Sequence, residues 1–276
     1  MMANVRDPGA PPAEAADLAF FAGAMRARAG VVLPETKAAL IYRRLVPRVR
    51  ALGLPDFAAY RVRLSDPDDP EWDVVVAALT TNHSRFFREI HHFRLLDGHL
   101  GTLLGKRVER VRFWSAACAA GQEPYSMAML LARAGTVEAG IDARVLATDI
   151  DPAILAAAEA AVYPAEDVGH LPRFAREFLK QGAGGKWRLS GSPRDLVRFK
   201  RHNLVGEEWP MKGPFDAIFC RNMLIYLSTA DQAKVIAKLV SYLRPGGILC
   251  LGHSETARDP ALPLARLDVP SAYVRL

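Results

Sequence analysis

The chain has 276 residues, of which 50% are hydrophobic and 24% charged, a composition typical of a soluble globular protein with one large domain or two smaller ones. Its net charge of +6 fits a nucleic acid or an acidic protein partner equally well. The odd number of cysteines, three, argues against a disulfide framework. The sequence shows neither an apolar run long enough to cross a bilayer nor the pattern of a signal peptide. We therefore expect a cytoplasmic protein without membrane insertion.

The N-terminal part of the sequence predicts a leader followed by helices. Residues 1–16 are rich in proline and alanine, and we expect them to be disordered. Residues 17–92 predict an all-helical domain, because apolar side chains recur at helical spacing. Phe21 and Met25 belong to the first such repeat, and Gly30 follows it as a helix stop.

The next predicted helix, 37–50, is amphipathic, with apolar residues on one side and basic residues on the other. The basic residues are Lys37, Arg43, Arg44, Arg48 and Arg50. Pro47 should weaken or kink this helix, because it cannot donate a hydrogen bond to the Arg43 carbonyl. The basic side is either the solvated face of a helix that packs on a core or a docking face for an acidic partner. The sequence leaves both interpretations open.

Residues 93–276 alternate between strand and helix patterns, which predicts a mostly parallel, Rossmann-like sheet covered by helices. The predicted strands are 111–115, 144–148, 215–220 and 248–251, and the predicted helices are 124–134, 152–162 and 229–243. The pattern lapses at about 176–200, where short apolar segments that include 196–199 predict a small antiparallel β-subdomain inserted into the α/β fold. Residues 272–275 suit an added edge strand.

The segment 114–126 contains the most informative loop. Small residues separate the first predicted strand from a helix that we expect to open at Pro124. Such a loop lets backbone N–H groups approach a nucleotide-like ligand, but the glycine spacing of a dinucleotide fingerprint is absent. Glu123 stands at the helix start, where it is either a first-turn acid stabilised by the helix dipole or a partner for an amino group or a sulfonium charge.

Other candidate site residues follow the predicted strands, where ligands bind in doubly wound sheets. Asp149 ends the second strand and could accept hydrogen bonds from both ribose hydroxyls of a nucleoside. It could instead cap the next helix, although Asp151 suits that role better. Arg221 and Asn222 follow the strand 215–220 and are candidates for a substrate cleft, with Tyr226 shortly after them.

The segment 80–89 joins the helical and α/β parts, and its paired phenylalanines are more typical of a domain junction than of a ligand site. We predict no metal, because His83, His91 and His92 show no metal-ligand pattern with a nearby carboxylate or cysteine. Cys118 has no histidine nearby in sequence, and we interpret it as a small packed residue rather than a nucleophile.

Several segments together carry a family resemblance. Thr-Thr-Asn-x-Ser-x-Phe-Phe-Arg-Glu at 80–89, Gly-x-Glu-Pro-Tyr-Ser at 121–126 and Phe-Asp-Ala-Ile-Phe-Cys-Arg-Asn at 215–222 are specific phrases. With 147–151 and the Gly-His-Ser-Glu at 252–255, they resemble the chemotaxis-receptor glutamate O-methyltransferases, the CheR family. The resemblance covers nearly the whole chain after the leader.

The resemblance implies a helical domain, a methyltransferase domain that binds S-adenosylmethionine and releases S-adenosylhomocysteine, and a small β-subdomain. It implies methylation of glutamate side chains on the cytoplasmic domain of a methyl-accepting chemotaxis receptor, with no nucleic acid as partner. Carried over by position, the cofactor-binding residues are Asn82, Ser84, Arg88, Glu123, Asp149, Asn203, Leu204, Arg221 and Asn222. Arg88 and Tyr226 are the candidate catalytic residues that orient the reacting groups, and the basic residues Arg43, Arg44, Arg48 and Arg50 would dock the receptor.

The chemistry agrees with the lack of a convincing His/Asp pair. A glutamate side chain with a pKa of about 4.3 is already a nucleophile at pH 7, so the enzyme has to aim it rather than deprotonate it. Arg88 could pair with the carboxylate of either substrate or cofactor. A cofactor-binding scaffold without activity would be expected to lack Arg88, Glu123 or Asp149, and all are present. A nucleic-acid methyltransferase would commonly carry an Asp/Asn-Pro-Pro-aromatic turn, which is absent after Asn222.

Overall fold

The computed structural model describes residues 11–276 of a chain that divides into two compact units, Met1–Thr81 and Asn82–Leu276. Most of the predicted leader lies outside the described residues, and its end already forms the start of the first helix at Ala15. The division precedes the boundary that we predicted after residue 92. The segment 82–92 lies in the second unit because its aromatic side chains are part of that unit's core, as described below.

The first unit is helical, as predicted. Its helices are α1 (Ala15–Ala29), α2 (Ala38–Ala51), α3 (Phe57–Arg63) and α4 (Glu71–Leu79), and a 3₁₀ turn, Glu35–Lys37, precedes α2. The backbone N–H of Glu14 donates to Asp17 at the start of α1, and Gly30 ends the helix with a φ of 68°, the left-handed conformation that glycine adopts without strain. The fully buried rings of Phe21 and Tyr60, with centroids 5.4 Å apart, lie in the core of this unit.

The second unit has an α/β architecture. Its helices are α5 (Ile90–Gly105), α6 (Gln122–Arg133), α7 (Pro152–Ala160), α8 (Ala165–Val168), α9 (Arg173–Arg176), α10 (Ser192–Leu196) and α11 (Thr229–Tyr242). Its strands are β1 (Arg110–Ala116), β2 (Asp142–Asp149), β3 (Val162–Tyr163), β4 (Leu179–Gln181), β5 (Trp187–Leu189), β6 (Val197–Arg201), β7 (Phe215–Cys220), β8 (Leu243–Leu251), β9 (Leu264–Arg266) and β10 (Ala272–Arg275). Short 3₁₀ turns lie at Ala183–Gly185 and Leu224–Tyr226.

The main sheet confirms the predicted doubly wound fold. Among residues 11–276 it has seven strands in the order β6-β2-β1-β7-β8-β10-β9. In this order each strand from β6 to β8 is parallel to the next one, whereas β10 is antiparallel to both of its neighbours. The chain order reverses between β1 and β7, which makes the carboxyl ends of these two strands the point where a ligand crevice forms.

A small antiparallel sheet is also present, in the order β3-β5-β4, but its extent differs from the prediction. It begins at Val162 rather than near residue 176, and the segment 196–199 does not belong to it. Those residues lie in α10 and β6, and β6 pairs in parallel with β2 at the edge of the main sheet. Because an edge strand keeps one side in solvent, β6 lacks the continuous apolar run that marks the central strands. The predicted edge strand, β10, lies between β8 and β9.

The segment between Asn82 and α5 is anchored in the α/β core by its paired phenylalanines. The Phe86 ring packs against Tyr163, with centroids 4.8 Å apart, and the Phe87 ring packs against Phe93 at 5.1 Å. The Phe87 N–H donates to the hydroxyl of Ser126 in α6 (3.0 Å). Among the described helices, none combines the length and apolar character that a membrane span requires.

Candidate functional site

The loop between β1 and α6 approaches its neighbours closely. The Cys118 N–H donates to the Thr148 carbonyl (2.9 Å), which ties the loop to the adjacent strand β2. Gly121 has a φ of 91°, and a Cβ at this position would lie 3.0 Å from the Tyr163 hydroxyl and 3.1 Å from the Cβ of Ala158. Both the conformation and the space therefore demand glycine. Helix α6 starts at Gln122, slightly earlier than predicted.

Asp149 lies at the carboxyl end of β2 and is 7% exposed. Its carboxylate accepts hydrogen bonds from the backbone N–H groups of Ala119 (2.9 Å) and Asp151 (3.1 Å). Burial raises the pKa of Asp149, and these hydrogen bonds oppose the rise. Asp151 is the N-cap of α7, as predicted, since it accepts from the N–H groups of Ala153 and Ile154. The Asp149 carboxylate therefore joins the two loops that follow β1 and β2.

Glu123 forms a buried ion pair at the point where the chain order of the sheet reverses. Arg221, directly after β7, places Nη1 2.9 Å from Oε2 of Glu123. The hydroxyl of Ser115 donates to the other carboxylate oxygen (2.7 Å). Nη2 of Arg221 lies 3.3 Å from Glu89 and donates to the Arg88 carbonyl. One guanidinium thus connects the ends of β1 and β7 with the segment before α5.

The buried charges at this edge of the sheet are unbalanced. Burial raises the pKa of Glu123, and Arg221 opposes the rise. Burial also raises the pKa of Glu89, but the Arg221 guanidinium outweighs burial there and holds the pKa below its ordinary value. With Asp149 and Glu255, which is 4% exposed, these carboxyl groups outnumber Arg221. A ligand with positive charge would reduce this imbalance, because a nearby cation favours the ionised carboxylates.

The predicted cofactor residues of the segment before α5 differ in how they contact the ends of β2 and β7. The amide of Asn82 donates to the carboxylate of Asp151 (2.9 Å). The guanidinium of Arg88 donates to the His83 carbonyl (3.2 Å), and its side chain is 32% exposed. Ser84 is partly buried. The structure therefore ties Asn82 to the Asp149–Asp151 loop by a side-chain hydrogen bond, and Arg88 reaches Arg221 through its backbone carbonyl.

Asn203 and Leu204 follow β6 at the same edge. The His202 N–H donates to the Asp149 carbonyl (2.9 Å), which brings this segment beside the end of β2. Leu204 is 7% exposed, and the side-chain oxygen of Asn203 accepts from the Val205 N–H (3.2 Å). This segment, tied to Asp149 through the His202 backbone, carries an apolar side chain and an amide, which are suited to the base and ribose of a nucleoside.

One prediction about the histidines requires correction. His91 and His92 lie beside Glu89, with one side-chain N or O atom from each of the three residues within 4.8 Å of the others, so the prediction that no carboxylate is nearby is wrong. Nδ1 of His92 is 3.5 Å from Glu89, its Nε2 is 2.8 Å from the Pro270 carbonyl, and burial lowers its pKa to about 4. Arg221 already provides a positive charge to Glu89, so we interpret Glu89 as the partner of a buried ion pair beside which the neutral His92 packs. The absence of a metal stays a prediction.

The three cysteines are free and buried. Burial raises the pKa of Cys118 well above its ordinary value, and burial also raises the pKa of Cys220 and Cys250. A thiol that is buried and protonated is a poor nucleophile, which agrees with Cys118 as a packed residue.

The predicted docking face on α2 is partly used by the helical unit itself. Arg48 forms two hydrogen bonds to the carboxylate of Glu71 (2.5 and 2.6 Å), and the Tyr60 hydroxyl donates to the same carboxylate (2.8 Å). Glu71 is 3% exposed, so Arg48 neutralises a buried charge. Arg48 therefore has a partner within the helical unit, and its role in docking stays a prediction.

Arg44 is also held within the helical unit, because it donates to the Thr80 carbonyl (2.7 Å) and to the hydroxyl of Thr81 (3.1 Å). Arg43, Arg50 and Lys37 are exposed. The docking interpretation stays a prediction for these exposed residues. Helix α2 continues through Pro47, which lies on its exposed side.

Sequence reasoning assigned no role to Ser115, Glu89 or Glu255. Ser115 carries a signal, because it is a polar residue in the apolar second half of β1, 113–116, and is fully buried. Glu255 lies in the Gly-His-Ser-Glu phrase just after β8, where a carboxylate follows a buried strand. Glu89 could be assigned only from its three-dimensional contact with Arg221.

Two family models match the chain. One, described as the all-alpha domain of the CheR methyltransferase, matches residues 16–80, and the other, described as its SAM-binding domain, matches residues 82–265. The chain is 42% identical over 233 residues to a chemotaxis protein methyltransferase of Klebsiella aerogenes, which covers 83% of this chain and 79% of the relative. It is 40% identical to the Escherichia coli protein of that name, covering 83% and 80%. It is 41% identical to chemotaxis protein methyltransferase 2 of Pseudomonas aeruginosa, covering 82% and 81%.

Proposed function

Because the chain belongs to the CheR methyltransferase family, we propose that it transfers a methyl group from S-adenosylmethionine to glutamate side chains of a chemotaxis receptor. The product on the receptor would be a glutamyl methyl ester, and the site of action would be the receptor's cytoplasmic domain. The single observation that supports this most is the buried, acid-rich edge of the sheet at Glu123, Asp149 and Arg221.

The residues at this edge fit the cofactor. S-adenosylmethionine supplies a methyl group on a positively charged sulfur, together with an amino acid end and a nucleoside. The excess of buried carboxylates over Arg221 suits the positive charge. Asp149 has carboxylate lone pairs left for ribose hydroxyls, and Asn203 with Leu204 would take the adenine. Glu123 would bind the amino group, in exchange for part of its contact with Arg221.

The remaining proposed cofactor residues are Asn82, Ser84, Arg88 and Asn222. Within this assignment the chain's own groups bind and orient, and no residue has to remove a proton. A glutamate carboxylate is ionised at pH 7, since its ordinary pKa is about 4.3. The rate acceleration therefore comes from desolvating the glutamate carboxylate and aligning it with the methyl group. Arg88, with its fixed fork of donors, and Tyr226 would orient the two carboxylate-bearing partners.

We propose that receptor docking uses three exposed basic residues, Lys37 just before α2 and Arg43 and Arg50 within it. A receptor segment that presents several ionised glutamates is negatively charged there, so opposite charge would speed its encounter with this face. Arg44 and Arg48 would contribute through the shape of the helical unit, because their hydrogen bonds lie within it.

The test supplies the purified protein with methyl-labelled S-adenosylmethionine and receptor-containing membranes, and then adds base. Methyl esters hydrolyse in base, so label on receptor bands should be released as volatile methanol. The matched control is the Asp149→Ala protein, which should leave the receptor unlabelled. A parallel reaction contains nucleic acid in place of membranes.

Base-stable label in nucleic acid would overturn the proposal in favour of a nucleic-acid methyltransferase. Cofactor binding without transfer to receptors from the source organism would overturn it in favour of a signalling scaffold. Label on receptors that resists base would mean that the acceptor is not a carboxylate.

A further inference from the structure

A buried carboxylate to which the proposed chemistry assigns no contact with cofactor or substrate follows β8. Glu255 is 4% exposed, and its Oε2 accepts hydrogen bonds from the backbone N–H groups of Asn222 (2.9 Å) and Gly252 (2.6 Å). Its Oε1 accepts from the N–H of Ile225 (3.2 Å). Burial raises the pKa of Glu255, and the hydrogen bonds from the backbone oppose the rise. Each hydrogen bond that the described residues make to this side chain comes from a backbone N–H.

These donors belong to the turn that follows β7. The turn leaves the sheet at Asn222, whose φ of 59° is left-handed, and continues into the 3₁₀ turn Leu224–Tyr226. The first N–H groups of any helical turn lack partners within it. Glu255 satisfies one of them at Ile225, and the Tyr226 N–H bonds to the Met223 carbonyl.

The two strand ends are also in close contact. A Cβ at position 252 would lie 2.7 Å from the backbone nitrogen of Asn222 and 2.7 Å from Oε2 of Glu255. Only glycine can therefore stand at the exit of β8 while the carboxylate bonds to the neighbouring turn. In the sheet, Leu251 pairs with Cys220, so the Glu255 side chain extends the contact between β7 and β8 beyond their last paired residues.

From this geometry we infer that Glu255 is a positioning residue for methyl transfer, which holds the turn 222–226 so that Tyr226 faces the reacting groups. The inference rests on the proposed function. A carboxylate suits the task because one side chain can accept from N–H groups on two strand ends at once. A glutamine would turn its NH₂ group either towards the Ile225 N–H or towards the N–H groups of Asn222 and Gly252. In both orientations the turn after β7 would lose at least one hydrogen bond to this side chain.

The test is a double-mutant cycle with Glu255→Gln and Tyr226→Phe, measured as kcat and KM for receptor methylation. Enzyme concentrations are normalised to the fraction that binds S-adenosylhomocysteine, so that unfolded protein does not contribute. Glu255→Gln should lower kcat by about 10–100-fold, the size of effect that misplacement of a reacting group produces. Added to Tyr226→Phe, it should lower kcat by less than about threefold further, because residues that act as a unit are non-additive.

The matched control is Glu208→Gln, an exposed glutamate in the same unit, which should leave both constants unchanged. If Glu255→Gln does not fold, Gly252→Ala replaces it in the cycle, since its Cβ would displace the Asn222 backbone while the carboxylate remains. The inference would be overturned if the two losses in kcat multiplied in the double variant, or if Glu255→Gln left kcat unchanged. It would also be overturned if Tyr226→Phe left kcat unchanged while Glu255→Gln lowered it. Because the wild-type protein is assayed alongside, failure of the proposed function would appear separately, as no base-labile label on the receptor.

Discussion

Replacing Arg221 with methionine should destabilise the α/β unit strongly. The Arg221 side chain is 2% exposed and lies within hydrogen-bond or ion-pair distance of Glu123, Glu89 and the Arg88 carbonyl. Methionine keeps much of the packing volume but leaves two carboxylates without their cation. Breaking a buried pair from one side costs about 3–5 kcal/mol, because a charge remains buried and uncompensated.

In a unit of this size, 1 kcal/mol shifts the thermal midpoint by about 2–4 °C, so Arg221→Met should unfold roughly 6–20 °C below the wild type. The assay is scanning calorimetry at pH 7 without cofactor. The matched control is Arg133→Met, because Arg133 forms its ion pair with Asp97 at the surface, where the two side chains are 39% and 42% exposed. An exposed pair contributes about 0–1 kcal/mol, so the control should shift the midpoint by at most a few degrees.

A second variant separates the ion pair from packing. Glu123→Gln removes one of the stranded charges, so the double variant Arg221→Met/Glu123→Gln should recover part of the loss caused by Arg221→Met. An Arg221→Met midpoint no lower than that of Arg133→Met would refute the reasoning. So would a double variant no more stable than Arg221→Met alone, because the cost would then come from lost contacts rather than from unpaired charge.

Three further changes probe the two units. Asp149→Ala should abolish binding of S-adenosylhomocysteine in titration calorimetry, while the protein still unfolds cooperatively at a lower thermal midpoint because the Ala119 and Asp151 N–H groups lose their acceptor; an unchanged affinity would contradict the ribose assignment. Lys37→Glu/Arg43→Glu should weaken receptor methylation at low salt and spare cofactor affinity, and equal methylation rates would return this face to ordinary solvated surface. Burial raises the pKa of Glu71, but hydrogen bonds led by that from Arg48 outweigh it and hold the pKa below the ordinary 4.5. Ionised Glu71 therefore stabilises the helical unit above that pH, and the contribution should be lost as the pH falls through the lowered pKa. Glu71→Gln should flatten this part of a stability-against-pH curve, and a variant curve parallel to the wild type would exclude the effect.

The central strands could be predicted from the sequence because burial on both faces of the sheet requires mostly apolar residues. All six residues of β7 are buried and all but Asp216 are apolar, so the segment stands out in the sequence, and its predicted bounds agree with the structure. The edge strand β6 has only Val197 buried, and its exposed residues conceal its membership of the main sheet. A short strand that faces solvent is distinguished by its pairing partner, which no local pattern reveals.

The site was predictable residue by residue but not as a set of contacts. The position of Asp149 at a strand end and the cap formed by Asp151 follow from local patterns, and the structure has them at those places. The ion pair between Glu123 and Arg221 joins residues far apart in the chain, as does the bond from Glu255 to the turn after β7. Such contacts depend on which strands are neighbours, so they become visible only once the strand order is known.

The three buried thiols of the α/β unit can report where the unit opens locally. Cys118 lies in the loop after β1, whereas Cys220 and Cys250 lie in paired central strands. An alkylating reagent reacts with a thiolate that it can reach, so each cysteine is labelled only when its own segment opens. Labelling of Cys118 measures the loop, and labelling of the other two measures disruption of the sheet. The ratio of these rates, with and without cofactor, therefore separates loop motion from global unfolding in the unmodified protein.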